Sequence, residues 1–251
     1  MSKKSIKANK EIVEMSEDKI INFYNHPVVK KLNPEHDDDC YKNTGIKFNS
    51  KSIVIGSTGS GKSTWVLNYL SRCPYRYGHI SIVNSGMIEP LYEFLQKQVG
   101  EEKISFYKYS ELPCLNEFGN KAETQLLICD DLIANKKQDK LEDYAIRCRK
   151  FGSGVSMIYL SQKYYSVPII IRAQAQYLII IKISDQQDLK RILKQSDMGI
   201  KMEQLVQMYE ISTSEQFGFL KIDLGCNDIN RKFSKNFLQY FTIHKDGSVS
   251  L

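Results

Sequence analysis

The stretch "SIVIGSTGSGKSTW", residues 52–65, decides the fold. Four residues, Ser52 to Ile55, read as a buried strand running straight into a glycine-rich turn. The residues after it, "KSTWVLNYLSR" (62–72), read as a helix running out. Within the turn, Gly56, Gly61, Lys62 and Ser63 satisfy G-x-x-x-x-G-K-[ST]. The spacing has a physical reason. Backbone N–H groups must turn inward around phosphate oxygens, and glycine permits the close approach and the unusual angles this needs. The helix start adds the positive end of its dipole. Residues Gly56, Ser57, Thr58, Gly59, Ser60, Gly61, Lys62, Ser63 and Thr64 are therefore the expected ATP-binding loop. Lys62 would reach the β- and γ-phosphates, and Ser63 would bind Mg²⁺.

Outward from that loop, short apolar runs alternate with amphipathic segments. Expected strands are 51–56, 79–84, 103–109, 125–131, 155–162, 176–183 and 218–223. Expected helices are 62–72, 88–99, 138–150, 185–195 and 201–210. Near-continuous apolar strands alternating with helices predict an α/β fold, with a mainly parallel central sheet flanked by helices on both faces. Residues 1–50 differ in character. They carry a basic start (Lys3, Lys4, Lys7, Lys10) and an acidic run, "PEHDDDC". They read as an N-terminal extension, either solvated or an arm touching DNA or a neighbouring subunit. Residues 51–224 read as the ATPase domain, and 225–251 as a tail packing on it.

Three further elements carry chemistry. The strand "LLICDD" ends in two carboxylates, Asp130 and Asp131. A Mg²⁺–ATP site needs an acidic residue there: Asp130 is expected to hold the metal and Asp131 to orient or deprotonate the attacking water. Many ATPases of this broad type carry Glu at the second place; Asp is one methylene shorter. The strand "VSMIYLSQ" ends in Gln162, whose carboxamide would point into the crevice at the sheet's C-terminal edge and contact the γ-phosphate or the water. The segment "IRCRKFGSG" holds Arg147, Arg149 and Lys150 at a helix end. Cations are favourable there without any function. A guanidinium there would also reach a neighbour's nucleotide in a ring. Arg149 is favoured over Arg147, and Arg172 is a further candidate.

Other functions are disfavoured. The chain has 251 residues, 42% hydrophobic and 25% charged, as in ordinary soluble domains. Its net charge of +6 is compatible with a nucleic-acid partner. The six cysteines form no CxxC pair and lie at no ligand spacing from the four histidines, which argues against zinc; irregular single cysteines suit a reducing compartment. The N-terminus lacks the apolar core of a secretory signal, and the longest apolar run, "YLIII", is too short to span a bilayer.

Together, "GSTGSGKST", "LLICDD" and above all "FGSGVSMIYLSQKYYSVPIIIRAQAQYLIIIKI" (151–183) resemble the genome-packaging ATPases of nucleocytoplasmic large DNA viruses and virophages, including the poxvirus type, within the FtsK–HerA superfamily. The resemblance spans about 51–224. It implies a RecA-like P-loop sheet and a homo-oligomeric ring, pentamer or hexamer, that moves double-stranded DNA into a capsid. It also implies capsid proteins as partners and a place in the host cytoplasm (viral factory) or the virion. It carries the ATP-site roles onto Gly61, Lys62, Ser63, Asp130, Asp131 and Gln162, and an arginine acting in trans onto Arg149 or Arg147. Related viral proteins often read Arg-His where this chain reads Arg149-Lys150, so the choice of arginine stays open. Lys163, Tyr164 and Tyr165 would line a pore or serve in packing. The alternatives to a DNA motor are a P-loop phosphotransferase and a nucleotide-dependent assembly switch.

Overall fold

The structure is a computed structural model. It describes residues 26–28 and 39–251, apart from 75, 120, 121, 136, 186 and 197. The chain divides into two units, Met1–Asp37 and Asp38–Leu251. Of the first, only 26–28 are described, so the basic N-terminal start and most of the acidic run lie outside the described residues.

The second unit is built on a sheet whose strands come in the order β3-β2-β4-β5-β1-β6-β7-β8-β9 among the described residues. These are β1 (Lys51–Ile55), β2 (His79–Asn84), β3 (Ile104–Lys108), β4 (Gln125–Asp130), β5 (Val155–Ser161), β6 (Tyr177–Ile180), β7 (Leu220–Asp223), β8 (Phe233–Lys235) and β9 (Gln239–Tyr240). From β3 to β6 every pairing is parallel. At the other edge β7, β8 and β9 pair antiparallel. The expected mainly parallel α/β sheet is present. The strands are shorter than the apolar runs suggest, because the last residue or two of several runs already turns away from the ladder. Asp131 and Gln162 both lie just past their strands. A hairpin of β10 (Thr242–Ile243) and β11 (Val249–Ser250) closes the tail.

Side chains alternate between the two faces of a strand, and the core divides accordingly. Ile53, Ile55, Leu127 and Cys129 face one layer; Val54, Leu126 and Ile128 face the other. On the second face lie α1 (Asp39–Thr44), α2 (Lys62–Ser71) and α3 (Pro90–Val99), through Cys40, Trp65, Tyr69 and Tyr92. On the first lie α4 (Asp139–Arg147), α5 (Ile169–Gln174), α6 (Gln187–Gln195) and α7 (Met202–Ser212), through Tyr144, Ile171, Ile192 and Met208. A short helix, α8 (Ile229–Lys232), leads into β8. The predicted helix 138–150 ends at Arg147 and gives way to a tighter turn, Cys148–Lys150. Two of the cysteines are not single: Cys40 and Cys73 are joined as a disulfide, with Cα atoms 4.9 Å apart. Their separation of 33 residues carries no pairing signal, and only the packing of α1 beside the end of α2 brings them together.

One buried cation ties the segment before β1 to the antiparallel edge. Lys221, on β7, is 2% exposed and donates to the carbonyls of Thr44, at 2.8 Å, and Phe237. Burial lowers its pKa from 10.5 to about 8, and Asp223 opposes the shift. Folded chains thus bind fewer protons than unfolded ones between pH 8 and 10.5, and stability from this group falls as pH drops through that window. In urea unfolding, Lys221→Met should remove a slope of up to about 1.4 kcal/mol per pH unit above pH 8. An unchanged difference between the two proteins from pH 7 to 9.5 would refute this.

Candidate functional site

Register makes the site. β4 aligns Asp130 with Leu160 of β5, and β1 aligns Ile55 with Ser161. The C-terminal ends of β4, β5 and β1 are therefore flush. The chain leaves β1 through α2 and crosses over β5 and β4 to reach β2. A crevice where an open α/β sheet reverses its winding, at the strands' C-terminal ends, is where ligands bind.

The loop is anchored from both sides: Gly56 N–H donates to the Ser161 carbonyl at 3.1 Å, and Ser57 N–H to Lys182 at 2.9 Å. Gly61 closes the turn at φ 101° and caps α2, a conformation that L side chains rarely adopt. At Gly56 the constraint is close approach instead: a Cβ there would lie 2.3 Å from Ser60 Oγ and 3.2 Å from Ile181 Cβ. Lys62 Nζ donates to the carbonyls of Gly56 (3.0 Å) and Ser57 (3.2 Å), so the ammonium lies along the loop. Burial lowers its pKa, opposed by Asp130, Asp131 and Glu89.

Asp130 follows Leu126 and Ile128 on the strand's even face, so it points toward α2 and α3. It is 6% exposed and accepts a 2.8 Å hydrogen bond from the Tyr92 hydroxyl. Ser63 lies near the same phenol and favours its ionised form, against the burial that raises its pKa. Burial pushes the Asp130 pKa up to about 6, the Tyr92 bond working against it and Glu89 with it. A carboxylate so placed gains from a cation. Serine and aspartate oxygens suit Mg²⁺, which keeps most of its other ligands as water and phosphate. Among the described residues no group of three or more His, Cys, Asp or Glu could hold a metal alone. Ser63 and Asp130 fit a shared ion held partly by nucleotide.

Asp131 takes a left-handed backbone, φ 47°, which Asp tolerates better than most residues. Its side chain is exposed and accepts from Gln162 Nε2 at 3.3 Å. The cavity over the loop measures about 260 Å³ and is lined by Lys62, Ser63, Asp130, Asp131 and Gln162 together. Three lining residues were not foreseen: Glu89, Leu91 and Phe217. The sequence pattern predicts a helix over 88–99, with Glu89 inside it. Pro90 is the first helical residue, so Glu89 sits as its cap in an extended conformation at the cavity wall. The proline was the available signal. No sequence signal marks Tyr92 or Phe217.

The arginines do not join this cavity. Arg147 pairs with Asp143 one turn earlier on α4. Arg149 lies in the turn after it and interacts with Lys51, the first residue of β1. Both thus sit at the opposite end of the strands from the loop, roughly 15 Å away at strand rise. Arg172 donates to the Val167 carbonyl and to Gln195, and lies 4.5 Å from the Tyr165 ring. Tyr164 is buried in the core, a packing residue, whereas Tyr165 is 48% exposed. In urea unfolding, Tyr92→Phe should destabilise the protein by about 1.5–3 kcal/mol, because it leaves the buried Asp130 without its donor. Loss below about 0.5 kcal/mol would mean water supplies that bond.

The sequence profile of the family described as "Poxvirus A32 protein" matches residues 41–224. Among solved structures, B204, the DNA-packaging ATPase from Sulfolobus turreted icosahedral virus, is 17% identical over 76% of this chain and 98% of that chain, with a TM-score of 0.51. The genome packaging NTPase B204 from Sulfolobus turreted icosahedral virus 2, in complex with AMPPCP, is 18% identical over 74% of this chain and 96% of that one, with a TM-score of 0.51. At such identities the likeness is one of fold. No curated protein matches the chain in sequence.

Proposed function

This chain belongs to the poxvirus A32 protein family, and from that premise we propose that it is an ATP-hydrolysing motor that moves double-stranded DNA, packaging a genome into a capsid. The observation that carries the hydrolase reading is the convergence of Lys62, Asp130, Asp131 and Gln162 on one cavity from three separate elements. The similar solved structures described above include a DNA-packaging ATPase and a genome packaging NTPase, which fits the second half of the reading.

In this reading the loop from Gly56 to Thr64 binds the phosphates through its N–H groups, and Lys62 contacts the β- and γ-oxygens. Ser63 and Asp130 hold Mg²⁺, which would neutralise charge on the transferring phosphoryl group. Asp131 accepts the proton of the attacking water. Its hydrogen bond to Gln162 fixes both side chains, so the carboxamide orients the water and senses the γ-phosphate. The position of Arg149 and Arg147 suits a ring, because neither side chain serves its own cavity and a neighbour's must be presented to it. Such an arginine steadies charge in the transition state. DNA would be gripped through phosphates, independent of sequence and weakened by salt. Exposed Lys163 and Tyr165 suit that contact, whereas buried Tyr164 does not. Capsid proteins are the other expected partners, and the host cytoplasm or the virion the place of action. Among the described residues no helix is long and apolar enough to cross a membrane.

ATP hydrolysis by the purified protein should rise when linear duplex DNA is added. Lys62→Ala should lower turnover by on the order of 10²-fold or more, and Asp131→Asn should stop hydrolysis while nucleotide still binds. ATP consumed only with a small phosphoryl acceptor would overturn the motor in favour of a phosphotransferase. Arg149→Ala subunits mixed with Asp131→Asn subunits should regain part of the activity, since a mixed interface restores one complete site. No recovery in proven mixed rings would exclude Arg149 from that role.

A further inference from the structure

The cavity over the phosphate loop holds a carboxylate that the ATPase reading leaves without a task. Glu89 lines it together with Lys62, Ser63, Asp130, Asp131 and Gln162. It stands between β2, which pairs with β4, and α3, toward which Asp130 turns. We propose that Glu89 is a positioning residue for Mg²⁺: its carboxylate accepts hydrogen bonds from water on the ion that Ser63 and Asp130 hold, without binding the ion directly. The proposal rests on the ATPase reading and adds to it a residue outside the phosphate loop and the strand-end carboxylates.

The chain delivers this carboxylate on a fixed backbone. Pro90 is the first residue of α3, and a residue before proline is confined to extended angles. Glu89 accordingly has φ −70° and ψ 143°. At the other end of the segment, Asn84 closes β2 and is 7% exposed. Its Nδ2 donates to the Met87 carbonyl at 3.0 Å, and its Oδ1 accepts from the Gly86 N–H at 2.9 Å. Gly86 turns at φ 108°, an angle open to glycine. The segment is thus pinned to the sheet on one side and to a helix start on the other. The side chain it presents is uncommitted. Glu89 caps α3 without a side-chain capping bond, and it enters no ion pair among the described residues.

The charges put Glu89 on the metal's side of the cavity. Its field acts on Lys62, on Tyr92 and on Asp130. Asp131 and Gln162, bonded to each other at 3.3 Å, hold the other side, where the attacking water is expected. The lining sets three carboxylates against one ammonium. A triphosphate adds more negative charge, so the set is favourable only with a cation. Mg²⁺ takes one or two carboxylates directly and keeps several waters. A carboxylate that accepts from a metal's ligands raises the affinity of the site, and its loss typically costs about 10- to 100-fold.

Mn²⁺, a paramagnetic stand-in for Mg²⁺, reports on the site directly in the full chain saturated with AMPPCP. By electron paramagnetic resonance titration, Glu89→Gln should weaken Mn²⁺ about 10-fold or more. ADP without divalent ions should bind that variant no more weakly, because a like charge has been removed. Glu89→Asp keeps the charge and should recover most of the metal affinity. The Mg²⁺ needed for half-maximal ATP hydrolysis should rise by the factor that Mn²⁺ affinity falls. Glu89 is exposed, so both variants should melt with the unaltered chain. Unchanged Mn²⁺ affinity in Glu89→Gln, or an equal loss for metal-free ADP, would overturn this role and leave the ATPase reading intact. If the unaltered chain binds neither Mn²⁺ nor nucleotide, both readings fall.

Discussion

The buried carboxylate of Asp130 is the constraint from which the candidate site takes its shape. Strand β4 ends on it, flush with β5 and β1, and the strand's alternation turns it toward α2 and α3. There it needs a donor, which Tyr92 supplies at 2.8 Å from α3. Ser63, in the first turn of α2, lies near that phenol. One hydrogen bond therefore joins strand β4 to helix α3, beside the first turn of α2. The cost of the arrangement is electrostatic. A carboxylate with a pKa near 6 is held ionised at neutral pH against desolvation. Such tension is what a site for a divalent cation relieves.

The distribution of charge around that hydrogen bond is uneven. Glu89, Asp130 and Asp131 face the cavity, against Lys62 as the cation in its lining. The cations that end α4 lie at the far edge of the sheet, because the helix must run back against β4 before β5 can begin in parallel. Parallel connection therefore separates the arginines from their own chain's loop. The same geometry leaves both exposed. Topology, not the arginines' position in sequence, keeps them from their own chain's cavity.

Much of this was legible in the sequence, for a reason that varies by element. Strands β1, β4 and β5 are buried on both faces, so they read as unbroken apolar runs. The phosphate loop reads from its glycines, because φ near 100° at Gly61 tolerates little else. Short elements left weaker traces. Helix α5 spans only Ile169–Gln174 and is written in β-branched residues, so its sequence has no helical signature; Pro168 before it was the only marker. Strands β8 and β9 hold three and two residues, too few for alternation to show. Glu89, Tyr92 and Phe217 escaped because each reaches the cavity from a segment whose place is set by packing.

By itself, the sequence determined the alternation of strands and helices, the phosphate loop, and the two acidic residues at the end of the fourth strand. Those are local matters of periodicity and backbone freedom, readable within a dozen residues. The tertiary structure decided which strand lies beside which, and so which side chains share a cavity. Residues 56–64, 130–131 and 162 meet because β1, β4 and β5 end at one level. Arg147 and Arg149 stay away because a parallel crossover returns the chain to the opposite edge. Cys40 finds Cys73, and Phe217 finds Gly61, across separations of 33 and of more than 150 residues, respectively. Contacts at such range depend on how whole layers pack, which no local pattern encodes.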